Sequence, residues 1–218
     1  MKLANKIRLS ISAVSFIAAA AIASSLYFIA KDAIEQKIMA NLESTLNSRA
    51  NHLETYLDLL KSSVRQISAS VVLEQYLEAA GPHNYRQLGE FAPAMLRLKR
   101  TMEANPFVAE FLLMNSAGTV IASSDETSIG EDNSSDSIYL GALHGVFIKD
   151  MYYSQKFNQP LIAVSAPVRG RLGGDLMGVI AARVKMDEIN GICSDNTGLS
   201  STGEIYIVNK FGFMITPS

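Results

Sequence analysis

The sequence predicts an α+β fold, with helices in the first half of the chain and a five-stranded sheet, antiparallel at least at its end, in the second half. Three observations predict it. Residues 9–30 form an uncharged apolar run. Residues 32–80 contain neither proline nor glycine, which favours a long helix. Beyond Pro106, short apolar stretches alternate with turn-forming residues, as they do in antiparallel sheets.

The uncharged apolar run, Leu9–Ala30, predicts a transmembrane helix, because it is long enough to cross a hydrocarbon layer of about 30 Å. Three cationic side chains precede it, at Lys2, Lys6 and Arg8. By the positive-inside rule they place residues 1–8 in the cytoplasm. The helix would then span the cell (inner) membrane, and the residues after Ala30 would lie in the periplasm or extracellular space. A cleaved signal peptide is the alternative, since Ala21–Ala23 has the composition of a cleavage site. The apolar run continues past that site, which favours an uncleaved anchor.

Residues 32–80 predict one long extracytoplasmic helix. Apolar side chains recur in steps of three and four, at Leu46, Ala50, Leu53, Leu57, Leu60, Val64, Ile67 and Val71. They form one stripe along a helix that would extend about 70 Å. The stripe is either the seam of a homodimeric coiled coil or the face that packs on the chain's own sheet. Both arrangements are compatible at different heights, with the dimer seam nearer the membrane.

Residues 81–186 predict a sheet module. Its first two strands form a hairpin at Phe111–Ser124, with a tight turn at Asn115–Gly118. Three further strands are predicted at Val146–Ser154, Pro160–Val168 and Met177–Met186. The short connections between these three strands favour antiparallel pairing.

The segments around these strands have weaker signals. Gly81-Pro82 ends the long helix, and Tyr85–Glu103 is predicted as one or two shorter helices broken near Pro93. The acidic stretch Ser124–Asp136 lacks the ligand spacing of a calcium loop, so we interpret it as a mobile, solvated loop. Ser135–Gly145 is predicted as a short helix capped by Ser or Asp.

The hairpin pattern returns in Ile205–Ser218, at an offset of 94 residues. The matching pairs are Glu110 with Glu204, Asn115 with Asn209, Gly118 with Gly212 and Ser124 with Ser218. An internal repeat of this kind predicts a second module that opens with the same hairpin, and one strand pair cannot bury a core alone. We therefore expect residues 187–218 to be a linker and the first hairpin of a truncated second module, within a longer protein.

Composition argues against several classes of function. The formal net charge is −2 and no basic patch is interleaved with aromatic residues, so we expect no nucleic-acid partner. The three histidines and the single cysteine, Cys193, are scattered without ligand-like spacing, so no metal or cofactor is expected. The chain shows no nucleophile–base pair and no phosphate loop, so we expect no enzymatic activity in these residues.

In order and spacing, these features resemble the double Cache domain, a pair of PAS-like sheet modules found in bacterial and archaeal chemoreceptors, sensor histidine kinases and nucleotide cyclases. The resemblance rests on Phe111–Ser124, Ile129-Gly130, Tyr139, Phe147–Tyr152, Pro160–Val168, Gly178–Ile180 and Thr202–Tyr206. It implies that the first module, distal from the membrane, usually holds the ligand. It also implies that the rest of a second module, a second membrane span and a cytoplasmic output part follow in the longer protein.

Strand alternation predicts where a ligand would bind in the first module. It places Val146, Ile148, Asp150, Tyr152 and Ser154 on one face of the sheet. The last three of these, with Tyr139 on the helix that should cover the face, would suit a small polar ligand. The alternative is that this end of the strand simply reaches solvent and that Tyr139 only fills the core.

The resemblance also bears on the class of ligand. In the amino-acid-sensing members, an Arg three residues before the position of Tyr139 binds the ligand carboxylate, and an Asp two residues after the position of Tyr152 binds the amine. Here those positions hold Asp136 and Ser154. We therefore expect a ligand that is not a typical α-amino acid. Asp136 and Asp150 together would favour a cation, unless Asp136 only caps its helix.

The function expected from the sequence is the small-molecule-sensing input region of a transmembrane receptor, of the chemotaxis or two-component type. Two alternatives stay open. The chain is the N-terminal part of a membrane sensor enzyme, a histidine kinase or a diguanylate cyclase, whose catalytic part lies elsewhere. Or it is a degenerate fragment that only dimerises through its long helix.

Overall fold

The structure is a computed structural model, which describes residues 3–80, 85–170, 174–195, 197–199, 203–209 and 212–216. The chain divides into two compact units. The first contains Met1–Ser48 and Thr197–Gly203, and the second contains Arg49–Asn196 and Glu204–Ser218. The sheet, the later helices and the part of the first helix from Arg49 onward belong to the second unit.

The first helix, α1, runs from Leu3 to Ser68. It is the one helix in the described part of the chain that is long and apolar enough to cross a membrane, by length and composition. Its apolar side chains in the first unit are exposed, for example Leu9, Phe16 and Leu26. The helix has no break near residue 31, where the sequence predicts that a membrane span gives way to an extracytoplasmic helix.

The predicted continuation of this helix to residue 80 is wrong, because α1 ends at Ser68 and a second helix, α2, runs from Val71 to Ala79. The Ser68 hydroxyl donates to the Arg65 carbonyl at 2.8 Å, and the Ser70 backbone is extended at the N-cap of α2. Serine side chains that bond to the backbone compete with helical hydrogen bonding and favour helix ends. Val71, predicted to continue the apolar stripe, is exposed as a result.

The third helix, α3, runs from Phe91 to Glu103 and is preceded by a short 3₁₀ turn at Tyr85–Gln87. The prediction of a break near Pro93 is wrong. Pro93 lies in the first turn of α3, where a backbone N–H has no intrahelical partner in any case and proline is tolerated.

Five strands form one antiparallel sheet, as predicted. They are β1 (Val108–Asn115), β2 (Val120–Ser123), β3 (Phe147–Ser154), β4 (Gln159–Arg169) and β5 (Leu176–Lys185). Their order across the sheet is β2-β1-β5-β4-β3, so β3 and β2 are the two edge strands. A short helix, α4 (Ser137–Ala142), precedes β3, and another, α5 (Asp187–Ser194), follows β5.

The two faces of the sheet pack against different elements. One face forms the larger core with the buried end of α1 and with α2, α3 and α5, through residues such as Val64, Tyr76 and Leu98. The other face forms a smaller apolar cluster under α4, which includes Tyr139 and Ala163. The larger core includes Leu60, Val64 and Ile67, so the part of the apolar stripe near the C-terminal end of α1 packs on the chain's own sheet, as one of the two predicted arrangements requires.

The acidic loop between β2 and α4 exposes Glu126, Glu131 and Asp132 to solvent, as predicted, but its backbone is held against the sheet, which the interpretation as a mobile loop did not predict. The Val120 N–H donates to the Glu131 carbonyl at 2.9 Å, and the Gly130 N–H donates to the Val120 carbonyl at 2.8 Å. Ser128, within a 3₁₀ turn at Glu126–Ser128, is fully buried. Backbone pairing along β2 therefore makes this loop part of the folded module.

The turn geometry of the first hairpin recurs at the predicted repeat. The Gly118 N–H donates to the Asn115 carbonyl at 3.0 Å, and the Gly212 N–H donates to the Asn209 carbonyl at 2.9 Å. Both glycines have positive φ, at 83° and 81°, a conformation that glycine adopts without steric cost. The repeat is therefore structural as well as sequential, although the last matching residue, Ser218, lies outside the described residues.

Candidate ligand-binding site

A β-bulge in β3 determines which of its side chains reach the site. Lys149 pairs with Ala163, and the next pair is Tyr152 with Leu161, so β3 carries one residue more than β4 over this stretch. An extra residue reverses the alternation of faces beyond it. Lys149 and Tyr152 therefore share a face.

The prediction that alternation places Val146, Ile148, Asp150, Tyr152 and Ser154 on one face is wrong. Val146 and Ile148 pack against the larger core, whereas Tyr152 packs against the cluster under α4. Asp150 is exposed. Ser154 is buried, and its hydroxyl accepts from the Phe157 N–H at 3.4 Å in the β3–β4 hairpin.

Three of the five predicted site residues come together where α4 packs on the sheet. They are Asp136, the N-cap of α4, Tyr139 within α4, and Tyr152 on β3. Tyr139 is buried in the cluster that Tyr152 contacts. Its hydroxyl donates to the Ser116 carbonyl at 2.6 Å, in the β1–β2 turn. Burial raises the pKa of the Tyr139 hydroxyl, so it stays a neutral hydrogen-bond donor.

The Asp136 carboxylate is occupied by two partners. It accepts from the Ile138 N–H at 2.9 Å as the N-cap of α4, and the Lys149 ammonium lies 2.8 Å from both of its oxygens. Although burial raises the pKa of Asp136, these donors outweigh it and hold the pKa below its ordinary value. The capping alternative is thus correct, and Asp136 offers no free carboxylate beside the exposed Asp150.

Tyr152 lies near two cations. The Lys149 ammonium is 4.6 Å from the centre of its ring, which is a cation–π distance. Arg183 of β5 acts on the Tyr152 hydroxyl as a nearby charge that lowers its pKa, but burial outweighs this effect. Burial raises the pKa of the Tyr152 hydroxyl, mostly because the phenolate would lose hydration.

Arg183 belongs to a row of residues that crosses the sheet. Glu110 pairs with Arg183, Arg183 pairs with Ala163, and Ala163 pairs with Lys149. Residues paired in this way stand side by side on one face. The small side chain of Ala163 therefore separates Arg183 from Lys149.

Glu110, at the far end of this row, is a fully buried carboxylate. It receives Nη1 of Arg183 at 2.7 Å, Nζ of Lys156 at 3.0 Å and the Ser123 hydroxyl at 2.8 Å. Three donors satisfy its lone pairs in the way that a buried charge requires. Burial by itself lowers the pKa of Arg183, but Glu110, with Tyr152 and Glu131, raises it above its ordinary value.

Lys156 links the β3–β4 hairpin to β1 and to the loop after β2. Besides Glu110, its ammonium contacts the Ser128 hydroxyl at 2.6 Å and the Asp125 carboxylate at 3.0 Å. Asp125 also accepts from the Thr127 N–H, and this hydrogen bond is the main reason that its pKa falls to about 2. One lysine thus joins the hairpin to β1 and to the loop after β2.

Sequence reasoning missed Lys149, Lys156 and Arg183 as site residues and used Glu110 only for the repeat. The sequence contains a signal for Glu110 and Arg183, because both are charged residues inside otherwise apolar strands. A charge in such a position needs a partner on a neighbouring strand. The partner's identity depends on the strand order.

A cleft of about 580 Å³ opens beside β3. Its lining residues are Ser137, Phe147, Ile148, Lys149, Asp150, Met151 and Tyr152. Lys149 and Tyr152 therefore connect the polar row on the sheet with open space, in the size range of small-molecule sites. This arrangement can bind a small polar molecule through charge and an aromatic ring.

Comparison with known proteins agrees with this architecture. The sequence model of the Cache domain (dCache_1) matches residues 30–217, which is most of the chain. The chain belongs to the Cache domain family. No curated protein matches it significantly.

Solved structures of sensor domains share the Cache fold. The sensor domain of the Vibrio cholerae histidine kinase DctB is 19% identical, with a TM-score of 0.61, and the match covers 73% of this chain and 60% of that one. The ligand-binding domain of the Campylobacter jejuni chemoreceptor Tlp3, in complex with 4-methylisoleucine, is 15% identical with a TM-score of 0.65. That match covers 83% of this chain and 69% of the Tlp3 chain. The ligand-binding domain of the Pseudomonas fluorescens chemoreceptor CtaA, in complex with L-alanine, is 13% identical with a TM-score of 0.55. That match covers 78% of this chain and 68% of the CtaA chain. At these identities the likeness concerns the fold alone.

Proposed function

We propose that this Cache chain is the small-molecule-sensing input region of a transmembrane receptor of the chemotaxis or two-component type. The observation that carries the proposal is the polar row beneath α4, which meets a cleft at Lys149 and Tyr152. Membership of the Cache family supports it, as do the structural neighbours that are ligand-binding domains of chemoreceptors. To signal, a ligand must bind two conformations of the module with different affinity.

The apolar start of α1 supports a membrane location. Its exposed side chains need a non-aqueous environment or a partner. We propose that residues 1–8 are cytoplasmic, that residues 9–30 span the inner membrane, and that the module lies outside. A fusion of alkaline phosphatase after residue 216 should be active in bacterial cells, and a green fluorescent protein fusion at the same place should be dark. The opposite result would reverse this orientation.

Dimerisation through α1 is part of the same proposal. Ile34, Ile38 and Leu42 step by four along the first unit and are exposed. Such a stripe suits a second copy of the helix. Cysteine introduced at Ile38 in a Cys193→Ser background should form a disulfide-linked dimer in membranes, whereas cysteine at the exposed opposite position, Gln36, should not.

A ligand screen tests the sensing function directly. The full chain in detergent micelles would be melted with carboxylic acids, amino acids, amines and purines, since a ligand bound only to the native state raises the melting temperature. At one hundred times its Kd, a ligand adds about 2.7 kcal/mol, or roughly 5–10 °C for a domain of this size. The sensing proposal expects at least one class to do so, whereas a dimerisation-only fragment would respond to none.

The second candidate function is the input part of a membrane sensor enzyme, and the DctB neighbour favours the histidine kinase form. In either case we propose that the residues described here bind rather than catalyse. Autophosphorylation of the full-length protein with labelled ATP would identify a kinase, and methylation-dependent control of swimming would identify a chemoreceptor.

A further inference from the structure

A second cleft, which we call the α1–α3 groove, lies between the last turns of α1 and the second half of α3. Its volume is about 260 Å³. The residues that line it are Ser63, Gln66, Ile67, Arg97, Arg100, Thr101, Ala104 and Asn105. Both helices contribute to the larger core, whereas the candidate ligand-binding site lies where α4 packs on the other face of the sheet. The groove is therefore separate from that site.

The charge of the α1–α3 groove is positive. Arg97 and Arg100 are exposed and contact no carboxylate within the part of the chain that the structure describes. No Asp or Glu is among the described residues that line the groove. Glu126 pairs with Lys99 outside the lining, and Glu103 is exposed at the end of α3, also outside it. The positive charge is local, since the whole chain has a formal net charge of −2.

The two arginines are not needed to cap α3. The Arg100 carbonyl accepts from the Ala104 N–H at 3.1 Å, and the Arg97 carbonyl accepts from the Thr101 hydroxyl at 2.7 Å. The Asn105 side chain donates to the Thr101 carbonyl at 2.6 Å. These carbonyls near the end of the helix therefore already have donors. The N–H groups of both guanidinium groups stay available to a ligand.

The spacing of the two arginines suits a single anion. Residues three apart on a helix have Cβ atoms about 5–6 Å apart on one face, so both side chains can reach one group in the groove. Each guanidinium presents a planar fork of N–H groups. Ser63 and Gln66 of α1 add a hydroxyl and an amide, whose side chains make no hydrogen bond to the described residues.

A phosphate group matches this set of donors better than a carboxylate does. A carboxylate offers two oxygens and one negative charge, which one guanidinium fork satisfies. A phosphate monoester offers three acceptor oxygens and a charge of about −1.5 to −2 near pH 7, so it can accept from both forks. The volume of the groove lies below the roughly 300–1,000 Å³ of drug-sized sites, which also favours a small ion.

We propose that the α1–α3 groove binds a small phosphate anion between Arg97 and Arg100, with Ser63 and Gln66 as further donors. The proposal does not depend on the sensing function of the candidate ligand-binding site. A phosphate in the groove would contact α1 as well as α3. Since α1 also contains the predicted membrane span, the anion would strengthen the attachment of that helix to the module.

Phosphorus NMR measures this binding directly, because the signal of a phosphate broadens when it exchanges with a bound state. The full chain would be kept in maltoside micelles, which contain no phosphorus, and sodium chloride would hold the ionic strength constant. Inorganic phosphate and glycerol 3-phosphate would be titrated separately, which distinguishes a free phosphate from a monoester. Succinate, which has two carboxylates, would be added as a competitor. We expect saturable binding of at least one phosphate compound and little displacement by succinate.

Variants then locate the bound phosphate. Arg97→Gln and Arg100→Gln should each weaken its binding by about 10- to 100-fold, the effect of losing one charge-assisted hydrogen bond. Arg100→Lys, which keeps the charge and loses the fork, should weaken it less. Because both arginines are exposed, each variant should melt within about 2 °C of the unchanged chain in phosphate-free buffer.

The matched control is Lys99→Gln. Lys99 lies on the same helix and its replacement removes the same charge, but it pairs with Glu126 outside the groove. The control should bind phosphate with unchanged Kd. Equal affinity of the arginine variants and the control would refute the site, as would the absence of saturable binding of both phosphate compounds. Binding of succinate in their place would show that the class of anion is wrong.

Discussion

Replacing Glu110 with Gln tests whether the buried charge network holds the site together. The side chain keeps its shape and loses its charge, so Arg183 and Lys156 each lose a partner while Ser123 keeps an acceptor. Removing one member of a buried ion pair costs about 3–5 kcal/mol. The lower end applies here, about 3 kcal/mol, because both cations are partly exposed and retain Glu131 and Asp125 as second partners.

At roughly 2–4 °C per kcal/mol for a domain of this size, the variant should melt about 6–12 °C below the unchanged chain. The chain has one cysteine, Cys193, which is buried in α5 and whose thiol pKa burial raises. A maleimide dye that fluoresces on reacting with a thiol therefore reports unfolding of the module in detergent. Circular dichroism at 222 nm gives an independent reading.

The internal repeat supplies the control. Glu204 is the residue that matches Glu110 in the second hairpin, but it is exposed. Glu204→Gln should change stability by no more than about 0.5 kcal/mol. If Glu110→Gln melts within about 2 °C of the unchanged chain, the cost of burying Glu110 cancels its ion pairs, and our account of the network fails.

Three further predictions concern single residues. The pKa of Asp125 in the folded chain, about 2, lies below its ordinary value of 3.8, so its negative charge stabilises the fold above pH 4 and this contribution is lost as the pH falls from 4 to 2. The melting temperature of the Asp125→Asn variant should therefore decrease less between pH 4 and 2 than that of the unchanged chain. Gly178→Ala should lower the free energy of unfolding by about 1–3 kcal/mol, since a Cβ there would clash with the Met114 carbonyl oxygen. Gly191→Ala, whose Cβ would meet nothing within 4 Å, should instead raise it by about 0.5–1 kcal/mol, and thermal or urea unfolding measures both. Asp136→Ala should lose about 1–2 kcal/mol in the same assay and Asp136→Asn less than 1 kcal/mol, because asparagine still caps α4; equal losses would refute the capping role.

The sequence predicts the strands well because their signals are local. The hairpin at Asn115–Gly118 combines an asparagine whose side-chain oxygen accepts from the Thr119 N–H with a glycine at positive φ. Both requirements are visible in the order of residues. The break between α1 and α2 was missed because serine is only a weak helix breaker, and its effect here depends on hydrogen bonds that Ser68 and Ser70 make in the folded chain.

The site was harder to predict because it depends on register. The bulge between Lys149 and Tyr152 adds one residue, and no glycine or proline marks it. From that point the alternation assigned to β3 is reversed, so Tyr152 shares a face with Lys149 and not with Ile148, while the exposed Asp150 stays in the lining of the cleft. Glu110 and Arg183 lie 73 residues apart and meet only because β5 pairs with β1 in the sheet order.

The same network ties the β3–β4 hairpin to the rest of the module. Lys156, in that hairpin, contacts Glu110 of β1 and both Ser128 and Asp125 of the loop after β2. Lys156→Gln removes one of the two cations that pair with the buried Glu110. Because breaking a buried ion pair costs about 3–5 kcal/mol and Lys156 is partly exposed, we expect the variant to lose about 3 kcal/mol in urea or thermal unfolding. A loss below about 0.5 kcal/mol would show that this lysine does not hold the hairpin in place.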